Sequence, residues 1–109
     1  MAEHVYVNID NLHFKIWGYD SFVKCDNGET TIITYWGRIG LPMDKLRKRE
    51  TIFPSKEKAQ DYIWEKILGK IGKGYVAMPN WQYFEAISDE KPLYQLINLI
   101  HVYQKAQCK

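Results

Sequence analysis

The tripeptide Trp36-Gly37-Arg38 places a flat apolar ring, a residue without a side chain and a permanently charged fork at three consecutive positions. A Trp ring stacks on a base or sugar at an unpaired or terminal nucleotide, Gly lets a backbone approach closely, and Arg bridges phosphate oxygens with two parallel hydrogen bonds. The bland alternative is that Trp36 is a core ring at a strand end, which alternation alone favours. Just downstream, Lys45, Arg47, Lys48 and Arg49 make a basic run suited to tracking phosphates. Successive strand residues point to opposite faces, so Arg47 and Arg49 share a face with Lys45 while Lys48 turns away.

Charge supports a local anion-binding surface. Residues 36–75 hold ten Lys and Arg against five Asp and Glu, and the rest of the chain holds five against eight. Lys and Arg gain by displacing condensed counterions from phosphates, so one positive face suits an anionic polymer. The alternative is a solvated face with local ion pairs. Across the whole chain the net charge is only +2, too little to mark a general polycation.

Signals for catalysis are poor. His4, His13 and His101 have no metal-binding spacing, and the carboxylates are not paired with them. Ser21, Ser55 and Ser88 lie in no nucleophile elbow. The segment Gly69-Lys70-Ile71-Gly72-Lys73-Gly74 lacks phosphate-loop spacing and follows a helix instead of opening one, so it reads as a helix terminator. Cys25 and Cys108 form no disulfide framework or metal motif, which favours a reducing, intracellular compartment. We expect no enzyme activity, no cofactor and no metal. The most apolar stretch, residues 93–103, is interrupted by Gln95, Asn98 and His101 and is too short to span a membrane.

The elements that must position these residues are legible in outline. With 109 residues, 46% of them hydrophobic, the chain is expected to form one α+β domain with a core that needs no staples. Residues 12–17 alternate as a strand, Gly18-Tyr19-Asp20 reads as a turn or bulge, and residues 21–25 follow as a second strand. Asn27-Gly28 closes a hairpin, and residues 30–36, rich in Thr, Ile and aromatics, form the next strand. Gly40-Leu41-Pro42 stops it, and residues 46–53 make a charged strand.

Ser55 caps a helix whose Ala59, Tyr62, Ile63 and Ile67 share one apolar face, and Gly69, Gly72 and Gly74 end it. Residues 80–87 are a candidate strand. A final helix runs from Ser88 or Asp89 to about Gln104, with Pro92 in its first turn and a Leu93, Leu96, Ile97 and Ile100 stripe. The expected architecture is a twisted antiparallel sheet with one amphipathic helix packed on it and a C-terminal helical extension over about residues 88–106.

Over residues 14–75 the chain resembles the WGR domain, a module of DNA-dependent poly(ADP-ribose) polymerases that also occurs in small stand-alone bacterial proteins. The resemblance rests on Tyr35-Trp36-Gly37-Arg38-Ile39-Gly40, the basic strand, Phe53-Pro54-Ser55-Lys56-Glu57-Lys58-Ala59 at the helix start and the closing Lys73-Gly74-Tyr75. It implies a non-catalytic module that binds DNA at ends or nicks. Trp36 would pack on the sugar-base region of a terminal nucleotide, and Arg38 would contact DNA or a neighbouring domain. The chain departs from the pattern at Tyr35, where Arg is common, and at Leu41-Pro42-Met43-Asp44, which replaces the usual Gly-Gln; no ADP-ribosyltransferase domain is expected to follow.

The expected function is recognition of DNA ends or nicks through Trp36, Gly37, Arg38, Lys45, Arg47 and Arg49, in an intracellular protein that is cytoplasmic if bacterial. The alternative is a protein-interaction or accessory module that docks through the same face or through the C-terminal helix. Its Leu93, Leu96, Ile97 and Ile100 would then meet a protein partner or a second copy. Burial of that stripe against the domain's own sheet is the favoured outcome.

Overall fold

The computed structural model describes residues 4–9, 14–79, 82–84 and 93–107, the last segment with only part of its side chains. Five antiparallel strands form an open sheet in the order β4-β3-β2-β1-β5. They are β1 (His4–Asn8), β2 (Lys15–Val23), β3 (Thr30–Arg38), β4 (Arg47–Phe53) and β5 (Val76–Pro79). Helix α1 (Lys56–Gly72) lies between β4 and β5 in sequence, and α2 (Leu93–Gln107) follows β5. This is the expected α+β fold.

The sheet buries aromatic and branched residues on both faces. On one face Tyr6, Trp17 and Ile32 pack with Ala59, Ile63 and Ile67 of α1. On the other, Val5, Val7, Ile16, Tyr35 and Met78 pack with Tyr83 and with Ile100 of α2. Burying an isoleucine side chain is worth roughly 1.5–3 kcal/mol, so Ile63 and Ile67 give α1 a firm seat. Ser55 Oγ accepts from the Lys58 N–H at 3.3 Å, the cap expected from sequence.

Several local expectations are corrected. Gly18 interrupts nothing: β2 is continuous, and a Cβ at Gly18 would lie 2.5 Å from the Tyr35 ring on the neighbouring strand. Glycine is there because Tyr35 occupies the space a side chain would need. Gly69 lies within α1, while Gly72 is its last residue as expected; the chain turns away at Gly74, whose φ of +97° is a left-handed conformation that glycine adopts without steric cost. Within residues 80–87, Gln82, Tyr83 and Phe84 form a helical turn instead of a strand, and the others lie outside the described residues. Tyr83 is wholly buried there, and its hydroxyl accepts the Gly40 N–H at 2.9 Å.

Two strands were not foreseen at all. β1 pairs with both β2 and β5, so a short N-terminal segment becomes an interior strand of the sheet. The Asn27-Gly28 hairpin forms as expected, with Gly28 at φ +75° and the Lys24 N–H donating to the Glu29 carbonyl at 2.8 Å. The proposed start of the last helix at Ser88 or Asp89 lies outside the described residues. Its Ile100 is buried and Ile97 packs against the core, while the Leu93 and Leu96 side chains are not described.

Candidate nucleic-acid interface

Cross-strand register gathers the motif. Trp36 lies directly opposite Trp17 on β2 and Arg47 on β4; one step along, Arg38 faces Lys15, and Thr34 faces Arg49. All these residues share the α1 face of the sheet, since they lie an even number of positions apart along each strand. Lys48 is opposite Tyr35 and belongs to the other face, so the alternation inferred for the basic strand holds. Lys45 sits in a 3-10 turn before β4 and still lines the same groove.

Because α1 does not cover the whole face, a groove of about 850 Å³ remains beside it. Its rim and floor carry Lys15, Arg38, Lys45, Arg47, Arg49, Lys66 and Lys70, together with Trp17, Trp36, Tyr62 and Tyr75. No Asp or Glu is among the described residues lining it. None of its seven cations is ion-paired to a described acid.

Within the groove the aromatics are unequal. Trp17 is 5% exposed and is held between Tyr6 and Tyr19, with ring centroids at 5.6 and 6.0 Å, so it is floor. Trp36 is half-buried: it packs against the α1 core cluster yet lines the groove beside Arg38. The competing expectations for Trp36, sealed core ring or exposed platform, thus meet in an intermediate position. The fully buried core ring is its neighbour Tyr35, whose phenol is raised well above its usual pKa by burial, then by Asp20, Tyr83 and Tyr19.

Gly37 has a packing role. Its missing side chain makes room for Leu46, whose Cδ2 would lie 2.7 Å from a Cβ at this position. The close approach at Gly37 is therefore with the apolar layer behind the groove. The Thr34 hydroxyl, on the groove side, donates to the Arg49 carbonyl at 3.4 Å and ties β3 to the basic strand.

Sequence reasoning missed Lys15, Lys66, Lys70, Tyr62 and Tyr75. A signal for the first was present, since Lys15 and Trp17 alternate onto one strand face; Lys66 and Lys70 lie one helical turn apart beside the apolar face of α1. Lys70 Nζ lies 5.0 Å from the Tyr75 ring centroid and 5.8 Å from that of Trp17. Burial lowers its pKa, and Lys73, Lys66 and Lys15 lower it further.

Other chemistry is not assembled. Among the described residues no group of three or more His, Cys, Asp or Glu comes together, and no helix is long and apolar enough to cross a membrane. Apolar side chains outside the core gather on the outer side of α1, where Trp64, Leu68 and Ile71 are more than half exposed at helical spacing. No protein family, curated protein or solved structure matches the chain.

Proposed function

We propose that the protein is a non-catalytic nucleic-acid-binding module whose α1-face groove takes a DNA end or nick. The observation that carries this reading is the convergence of seven cations, with no described acid, around the half-buried ring of Trp36. Arg38, Lys45, Arg47 and Arg49 supply forks and point charges for phosphates along one side, and Trp36 offers a ring edge and face to a terminal sugar or base. The WGR resemblance supports the same assignment for Trp36 and Arg38, and Gly37 contributes by letting β3 sit closely on Leu46. An intracellular location is part of this proposal.

Binding of nicked, blunt-ended and single-stranded oligonucleotides and of a continuous duplex with closed ends over a salt series tests it. Expected are tighter binding to the nicked and blunt forms than to continuous duplex, and an affinity that falls linearly in logarithmic salt. A protein without measurable affinity for any of them at low salt does not have this function.

A second reading, an accessory protein-interaction module, is favoured by the exposed Trp64, Leu68 and Ile71 on α1. Described residues of the α2 stripe turn inward, which moves that reading from the C-terminal helix to the outer side of α1.

A further inference from the structure

The C-terminal end of α1 adds positive charge to the groove beyond the Arg38, Lys45, Arg47 and Arg49 set. Lys66 and Lys70 lie one turn apart on α1, Lys73 follows at the helix end, and Lys15 comes in from β2. On the ladder Lys15 is directly opposite Arg38, an arrangement of like charges that destabilises a sheet. The partial negative charge of the helix end favours cations there, yet its effect fades within one turn and does not reach Lys15.

Hydrogen bonds tie this corner to the sheet. The Lys70 carbonyl accepts the N–H groups of Lys73 and Tyr75 at 3.0 and 3.1 Å, which closes the helix end into a tight turn. Asn8, buried on β1, donates its side-chain N–H to the Lys73 carbonyl at 3.2 Å and ties that turn to the sheet. The Trp17 and Tyr75 rings beside the Lys70 ammonium are both buried, so they hold it in place by cation-π attraction without neutralising it. Burial and the neighbouring lysines already lower the pKa of Lys70, a cost that an incoming anion would relieve.

We propose that Lys70, with Lys15 and Lys66, forms a second phosphate-binding subsite on the α1 side of the same groove, across from the β4 arginines. Its ligand is a phosphoanion, and on the functional reading above that phosphoanion is a backbone phosphate of the bound strand. A strand held at Trp36 is then gripped at two points, by the β4 arginines on one side and by the α1 lysines on the other. This grip fixes the direction in which the strand leaves the motif.

Two titrations separate the subsite from the function it serves. In the first, lysine ammonium signals are followed by NMR as inorganic pyrophosphate is added to the full chain. Shifts concentrated at Lys70, Lys66 and Lys15 are expected; equal small shifts at all lysines would overturn the subsite, whatever the protein does with DNA. In the second, a nicked duplex is bound by the wild type and by Lys70→Gln, Lys70→Arg and Lys66→Gln.

Both Gln variants are expected to bind about tenfold more weakly at low salt and to lose roughly 0.9 from the salt slope, while Lys70→Arg retains the affinity. Lys66 is exposed, so its variant reads the subsite even where Lys70→Gln alters folding. Unchanged affinity and slope in Lys66→Gln and in a folded Lys70→Gln would refute the subsite while leaving DNA binding intact. Pyrophosphate shifts without oligonucleotide binding would keep the subsite and discard the strand as its ligand.

Discussion

Tyr35 and Trp36 are neighbours on one strand and have opposite fates. Tyr35 points into the layer sealed by Tyr83 and α2, lies over Gly18 and is 1% exposed. Trp36 points to the face that α1 covers only in part, opposite Trp17 and Arg47, and remains half-buried in a basic groove. A single step along β3 therefore separates an aromatic that holds the sheet together from one that a ligand can reach.

The contrast is broken most severely on the sealed side. Tyr35→Ala should cost about 3–5 kcal/mol of stability, the range for a truncated buried aromatic, seen as a lowered denaturant midpoint. Gly18→Val should be comparably damaging, since its side chain would collide with the Tyr35 ring. If either variant melts like the wild type, the two strands do not pack as described.

Alkaline pH acts on the same layer. Burial pushes the Tyr83 phenol up to about 12 from 10.0, outweighing the lowering by its hydrogen bond from Gly40. The folded state then holds a proton that the unfolded chain gives up, so this stabilisation is complete below pH 10 and is lost as pH rises from 10 toward 12. Across that window Tyr83 alone should remove roughly 1.4 kcal/mol of stability per pH unit, in addition to what the raised Tyr35 phenol removes. Tyr83→Phe should lessen the fall and leave the part due to Tyr35, as measured by unfolding at several pH values, although it also removes the acceptor for Gly40.

On the open side the effects are on binding. Trp36→Ala should cost on the order of 1 to 3 kcal/mol in affinity for ends and nicks and leave continuous duplex nearly unchanged. Arg47→Gln or Arg49→Gln should instead weaken every DNA form alike and lower the salt slope by roughly 0.9 each. A folded Trp36→Ala variant that still prefers nicked over continuous DNA would remove the stacking role. A melting curve beside each assay separates lost contact from lost fold.

Much of the site's frame could be read locally. The Ser55 cap, the Asn27-Gly28 hairpin and the alternation that turns Arg47 and Arg49 away from Lys48 each depend on residues within a few positions of one another. Gly18 misled for the same reason: read with its neighbours it resembles a break, and only the ring of Tyr35 on the paired strand explains it. Val5-Tyr6-Val7 in β1 are strand-forming residues, yet segments as short as β1 and β5 are fixed by pairing, β1 with β2 and with β5 across about seventy residues of chain.

By itself, then, the amino-acid order determined the fold class, the α1 face and the basic-aromatic character of the β3–β4 region, because period, capping and charge are properties of adjacent residues. Tertiary structure decided that Lys15, Lys66 and Lys70 join Arg38 and Trp36 in one groove, and that Tyr35 instead of Trp36 seals the core. Those outcomes depend on strand register and on how much of a face one helix covers. Both are set by packing between segments distant in sequence, which no local pattern specifies.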